Sequence, residues 1–185
     1  MTRIVAGEYR GRRLHAPAGQ DTRPTSDRVR EALFSTLESL TALDGARFAD
    51  LYAGSGAVGL EACSRGASRV LLVEAAVKAA RVARDNIDTL GAAATARLVT
   101  DRVERVLASA PETPYDVVFA DPPYALPAER VTEMLEALAA GWLAPDAVIV
   151  VERSSRGAPL EWVQGITGIS SRRYGETTLW YGRAS

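Results

Sequence analysis

One cysteine, Cys63, and one histidine, His15, occur among 185 residues. A lone thiol forms no internal disulfide, and the two side chains together supply neither a multi-cysteine or His-rich metal site nor a serine–histidine triad. No metal is therefore expected. Long apolar runs are missing as well. None approaches the ~20 residues of a membrane span, and the opening Met1–Val5 has no signal-peptide core, so the cytoplasm is the expected compartment. Lysine is nearly absent: of 22 basic residues only Lys78 is one, which points to codon bias and weakens any argument from arginine content alone. Chemistry here falls to carboxylates, backbone groups, aromatics and arginines.

What is present is an ordinary soluble composition, 47% hydrophobic and 24% charged, enough for one full core with a small appendage. Cys63 lies in an apolar helical pattern and reads as a packed hydrophobe. The net charge of −1 divides unevenly. Residues 1–30 carry seven arginines (Arg3, Arg10, Arg12, Arg13, Arg23, Arg28, Arg30) against Glu8, Asp21 and Asp27, a local +4 that leaves −5 for the other 155 residues. A basic front end on an acidic body suits a protein that touches a polyanion at one place; the alternative is a solvated arm.

The pattern along the chain alternates. Ile4–Leu14 reads as a small hairpin around Gly7 and Gly11, followed by a loop over Gln20–Pro24. Thr25, Ser26 or Asp27 can cap a helix with Val29, Ala32, Leu33, Thr36, Leu37 and Leu40 on its apolar face. Strands are expected at Arg47–Tyr52, Arg69–Val73, Thr95–Val99, Tyr115–Ala120 and Ala147–Glu152, with helices between them. Gly165–Arg173 and Thr177–Gly182 then flank Tyr174–Glu176 as a closing antiparallel hairpin. Repeated strand–helix units predict an α/β fold with a mostly parallel, doubly wound seven-stranded sheet ending in that hairpin. The expected organisation is a basic hairpin extension and loop over residues 1–24 and a Rossmann-like domain over 25–185.

Asp121-Pro122-Pro123-Tyr124 ends the fourth body strand, and ligands of open α/β sheets bind outside such strand ends. One Asp121 oxygen and the Pro122 carbonyl can each accept a hydrogen from a planar amino group, while Tyr124 stacks on the ring that bears it. The same letters also suit an ordinary stiff turn.

A second turn, Asp50-Leu51-Tyr52-Ala53-Gly54-Ser55-Gly56-Ala57-Val58-Gly59, follows the first body strand and satisfies G-x-G-x-x-G. Glu74 stands twenty residues beyond Gly54, placed to accept ribose hydroxyls. This spacing fits a nicotinamide-dependent oxidoreductase as well as any adenosine cofactor. Two residues favour S-adenosylmethionine. Asp50 suits the methionine ammonium, whereas a pyrophosphate would be repelled there. Asp101, after the third strand, can accept from an adenine amine. Each also has a plain structural use as a turn or helix cap.

Read together, the two turns specify methyl transfer to an exocyclic amine. Two acceptors on the amine hydrogens favour a pyramidal nitrogen with a localised lone pair, and Asp121 is the charge nearest the cation that forms. Guanine offers N1–H beside its 2-amino group, matching two carboxylate oxygens, whereas adenine presents an acceptor there. The preference for guanine is mild, and adenine N6 in DNA or RNA stays open. So do a glutamine side chain as acceptor and an RNA-binding module without catalysis.

The chain resembles the RsmD family of bacterial 16S rRNA guanine-N2 methyltransferases, Rossmann-like class I enzymes with an (Asp/Asn)-Pro-Pro-aromatic motif. The likeness rests on residues 4–14 (IVAGEYRGRRL), residues 23–34 (RPTSDRVREALF), residues 50–56 (DLYAGSG) and residues 121–124 (DPPY). It implies S-adenosylmethionine as cofactor, held by Asp50, Tyr52, Ala53, Gly54, Ser55, Gly56 and Glu74, with the Asp101–Arg102 turn at the adenine. It implies Asp121, Pro122, Pro123 and Tyr124 as catalytic residues. It further implies contact with 16S rRNA through Arg3, Arg10, Arg12, Arg13, Arg23 and Thr25, on an assembling 30S subunit, by a monomer.

Overall fold

The structure, a computed structural model, describes residues 2–16 and 26–185. Two short strands, β1 (Thr2–Arg3) and β2 (Arg13–Leu14), pair antiparallel at the front. Helix α1 (Asp27–Leu40) follows, its first turn closed by the Ser26 hydroxyl, which accepts from the Val29 amide at 3.2 Å. The body then alternates: β3 (Arg47–Leu51), α2 (Ala57–Ser64), β4 (Arg69–Val73), α3 (Val77–Leu90), β5 (Ala96–Val99), α4 (Val103–Leu107), β6 (Tyr115–Ala120), α5 (Ala128–Ala139) and β7 (Leu143–Ser154). A hairpin of β8 (Ile166–Tyr174) and β9 (Thr177–Ala184) closes the chain.

The seven long strands form one sheet in the order β5-β4-β3-β6-β7-β9-β8. Strands β3 to β7 are parallel, and β9 runs antiparallel to both its neighbours. The order reverses between β3 and β6, so the crossovers diverge and leave a crevice above their carboxyl ends. Buried alternate residues fill both faces. Phe48, Val70, Leu72, Val117 and Phe119 pack under α1, α2 and α3; Leu51, Leu71, Val118 and Ile149 pack under α4 and α5.

Three details differ from the sequence pattern, each for a traceable reason. The front hairpin has only two residues per strand because α2 takes the amides a longer ladder would use. Glu61 accepts from Val5 and Ala6 at 2.8 and 3.0 Å, and Ser64 accepts from Glu8 and Tyr9 at 2.8 and 2.9 Å. The chain approaches α2 so closely that a Cβ on Gly7, at φ +87°, would lie 2.0 Å from the Ser64 carbonyl oxygen. Second, α1 buries Arg30, Leu33, Phe34 and Leu37 most deeply; the inward face is turned toward Arg30 because Glu61 draws it in. Third, β7 starts at Leu143 rather than Ala147. Leu143 pairs with Tyr115 before a register shift, and Asp146 takes φ 62°.

Candidate active site

A cavity of about 1200 Å³ opens above the carboxyl ends of β3, β4, β6 and β7. On one side stands the glycine turn. Gly54 and Gly56 take left-handed conformations at φ 56° and 83°, and Tyr52, although not glycine, takes φ 61°. Backbone strain at a non-glycine residue lining a cavity is characteristic of functional turns. Among the described residues, no atom beyond its chain neighbours lies within 4 Å of where a Gly54 Cβ would be, so the space above that turn is open to a ligand. Gly59 serves packing instead: a Cβ there would sit 2.1 Å from Leu72. The N-terminal end of α2 faces the cavity through Ala57 and Val58.

Two carboxylates brace this side. Glu74 accepts from the Gly54 amide with Oε1 and the Ala76 amide with Oε2, both at 2.8 Å, so it fixes the turn and keeps lone pairs toward the cavity. Asp50 is almost wholly buried, and its Oδ2 accepts from the Gly59 amide at 2.9 Å. Burial pushes the Asp50 carboxyl well above the usual range; the Gly59 bond opposes this, and Glu74 and Glu152 add to it. Tyr52, Ala53, Ser55 and Arg102 also line the cavity. Gly56 lies just beneath as the residue before α2, its amide donating to the Ala53 carbonyl at 2.8 Å.

The opposite side is the turn after β6. Asp121 and the buried Pro122 form the floor, and Tyr124 projects into the opening with 48% of its surface exposed, its hydroxyl 3.4 Å from that of Thr177. Arg153 donates to the carbonyls of Pro123 and Leu126 at 3.2 and 3.1 Å, which clamps the turn from behind. The Pro122 carbonyl accepts no hydrogen bond from the described residues.

Glu152 and Arg153 carry roles the sequence pattern did not reveal. Glu152 ends the apolar run of β7 and lies beside Asp121, because Ala120 pairs with Val151 in the sheet. The two carboxyls face the same cavity from neighbouring strands, close enough for a hydrogen bond to join them when one carries a proton. The Asp121 carboxyl is held well above the usual range, first by burial, then by Glu152 and Asp50, with Arg153 opposing. Burial also raises Glu152, which the bond from Asp121 partly offsets. The clue available in the sequence was a carboxylate closing a buried apolar run; its level beside Asp121 comes from the sheet register.

Not every expected residue reaches the cavity. Asp101 does not line it: Oδ1 accepts from the Arg102 amide at 2.8 Å and faces Arg105 at 3.8 Å, so its carboxylate caps the turn while Arg102 and Val103 form the wall. Arg3, Arg10, Arg12 and Arg13 are exposed on the front segment. Arg12 donates to the Thr89 carbonyl at 2.7 Å, in the last turn of α3. The opposite end of that 14-residue helix borders the cavity through Ala75 and Ala76, so Arg12 is anchored about 20 Å of helix away. Arg30, counted with the basic front end, is fully buried and belongs to the core. Arg23 and Thr25 lie outside the described residues; Ser26, next in the chain, lines the cavity. Among the described residues no cluster of His, Cys, Asp and Glu could hold a metal ion, and no helix is long and apolar enough to cross a membrane.

A parallel five-strand body with an antiparallel strand slotted between β7 and the edge is the sheet of class I, S-adenosylmethionine-dependent methyltransferases. Within that class the chain belongs to the ribosomal RNA small subunit methyltransferase D family, matching the family described as Conserved hypothetical protein 95 over residues 2–183. It is 41% identical over 151 residues to Ribosomal RNA small subunit methyltransferase D of Escherichia coli strain K12, 81% of this chain and 73% of that one. It is 34% identical over 181 residues to the protein of that name in Haemophilus influenzae, covering 92% and 91%. The solved structure of yhhF from Escherichia coli superposes with a TM-score of 0.84 at 36% identity, covering 100% of this chain and 98% of that one.

Proposed function

We propose that this chain methylates the exocyclic N2 of one guanine in 16S rRNA, acting as a cytoplasmic monomer on an assembling 30S subunit, with S-adenosylmethionine as cofactor. The observation that carries this reading is one cavity shared by two devices. The open glycine turn with Asp50 and Glu74 stands on one side, and Asp121, the Pro122 carbonyl and the exposed Tyr124 stand on the other. The residues fit the cofactor. Glu74 retains acceptors for ribose hydroxyls, and a cation beside the buried Asp50 would relieve the cost of ionising it. The Arg102–Val103 wall, its turn fixed by Asp101, takes the adenine edge. When bound, the cofactor supplies an electrophilic methyl on a sulfonium.

The chain's own residues do the rest. Tyr124 stacks on the flipped base, a contact worth ~1–3 kcal/mol. Asp121 and the Pro122 carbonyl accept the N2 hydrogens and orient the nitrogen lone pair, and Asp121 stabilises the positive charge that develops. Residues 1–24 form the basic extension that meets RNA phosphates, with Arg3, Arg10, Arg12, Arg13, Arg23 and Thr25 as contacts, and residues 25–185 form the catalytic domain.

Tritiated methyl transfer to small subunits lacking the modification, followed by nucleoside analysis, tests the proposal. N2-methylguanosine is the expected product. N6-methyladenosine would transfer the same machinery to the other base. Stabilisation of the protein by NADH rather than S-adenosylmethionine in a thermal-shift comparison would reject the cofactor.

A further inference from the structure

Three carboxylates line the cavity from three adjacent strands: Asp50 one residue before the end of β3, Asp121 just after β6 and Glu152 on β7, level with Asp121. Glu152 is only 6% exposed, and none of the described ion pairs involves it. Its neighbour Arg153 gives its guanidinium to the Pro123 and Leu126 carbonyls. Among the described residues Glu152 has no ion-pair partner, and a wholly ionised trio in one poorly solvated corner repels itself. Two carboxyl groups joined by a hydrogen bond need one proton between them, because an ionised carboxylate only accepts.

This requirement meets a demand of the chemistry. Guanine presents N–H donors, so Asp121 must be the proton-free acceptor while the base is bound. Burial and the neighbouring charge of Asp50 favour the opposite state before the base arrives.

We propose that Glu152 is a positioning residue that shares one proton with Asp121, taking it when guanine donates N1–H and N2–H and leaving Asp121 as the carboxylate during transfer. The inference rests on the guanine-N2 reading above. As the bond from N2 to the methyl carbon forms and the sulfur–carbon bond breaks, N2 becomes cationic and gives one hydrogen as a proton to Asp121. The pair then holds two protons, and one leaves to solvent with the product, restoring the starting state. No oxidant or further reactant is needed. Facing the pair are Asp50 from β3, with Glu74 beyond it, and Arg153 from β7; Asp50 favours retaining the proton on Asp121 and Arg153 opposes it.

Two substitutions separate this role from simple packing. Glu152→Gln keeps a hydrogen-bond donor toward Asp121 but cannot exchange a proton. The single-turnover rate near neutral pH should stay within about tenfold of the parent, while one of the two coupled ionisations disappears from the pH–rate profile. Glu152→Ala leaves Asp121 half-buried with no partner. The rate near neutral pH should fall about 100-fold as Asp121 loses its positioning partner, and the acid limb should move to lower pH because the raising effect of Glu152 on Asp121 is gone. An independent readout uses the apo protein with carboxyl-¹³C-labelled Asp and Glu: two coupled titrations in the parent should become one in Glu152→Gln.

If both variants merely scale the parent profile at every pH and the Asp121 titration is unmoved, Glu152 only packs and the inference fails. Its failure is distinguishable from that of the functional reading. A parent enzyme that makes no N2-methylguanosine sinks the reading, whereas a parent that makes it while both variants keep the parent profile sinks the shared proton alone.

Discussion

One buried carboxylate on α2 and three carboxylates at the cavity are treated in opposite ways. Glu61, on α2, is fully buried, yet each oxygen is matched: Oε1 accepts from Val5 and from Arg30 Nε at 3.3 Å, and Oε2 accepts from Ala6 and from Arg65 Nε at 2.9 Å. Two amides and two guanidinium groups offset its desolvation. Asp50 and Glu152 are buried and Asp121 half-buried around the cavity, with one amide on Asp50 and only each other's carboxyl beside the other two. The first arrangement is complete without a ligand and fastens the N-terminal segment to the body. The second is completed from outside, by a cation near Asp50 and by donors near Asp121. The lesson is that burial alone does not mark a functional acid; burial with unmet demand does.

Removing Glu61 tests that contrast most severely. Glu61→Ala leaves Arg30 charged and fully buried, with the Arg3 carbonyl and Asp27 as its partners among the described residues. The expected loss is about 3–5 kcal/mol, visible as a lower urea midpoint together with protease sensitivity before residue 16. A loss under about 1 kcal/mol would mean that the cluster is no more than a surface ion pair, and the comparison would fail. Asp121→Ala should do the reverse. Methyl transfer should drop at least about 100-fold, while calorimetric affinity for S-adenosylmethionine and the unfolding midpoint hold or rise. A greatly weakened cofactor complex would reassign Asp121 to cofactor binding.

The intermediate case is Gly7→Ala, which adds a methyl group where the Ser64 carbonyl already stands and strains a φ of +87°. Strain of that kind costs about 1–3 kcal/mol, and the front segment should detach locally without touching the cavity. Loss of RNA affinity with cofactor affinity intact would tie that segment to substrate binding. Unchanged RNA affinity and salt slope would leave it a structural clasp.

These variants also mark where local pattern stops being informative. The strands of the body were legible because apolar runs such as Val148–Val151 and Tyr115–Ala120 have no other stable use in a chain of this composition. The two turns were legible because proline fixes its own backbone angle and glycine permits the left-handed conformations that tight turns need. Arg30 and Glu61, 31 residues apart, were not legible. A charged residue enters a core only when its partner arrives from another helix, and no period within α1 records that. Glu152 was read as a strand end and no more, since its closeness to Asp121 depends on β7 lying beside β6 rather than on anything within β7. Asp101 looked like a ligand for adenine from its place after β5; in the folded chain its Oδ1 accepts from the Arg102 amide at the turn into α4, a local use that its place in the sequence also allowed.

The smallest expected effect is a slope, and it tests the unmet demand directly. In the folded apo protein the Asp121 and Glu152 carboxyls are raised above the ordinary values of 3.8 and 4.5. Below those ordinary values folded and unfolded chains are both protonated at these sites, so the contribution to stability is fully present. As pH rises through the raised values, the unfolded chain has already lost its protons while the folded chain still holds some. Stability contributed by the pair is therefore lost as pH increases. Asp121→Asn removes one member and with it part of that loss. From about pH 5 to about pH 8, the melting temperature of the variant should decline less than that of the parent, and the two curves should separate toward the alkaline end. Parallel curves would mean that the cavity acids are already satisfied in the empty protein, and the distinction between the two clusters would vanish.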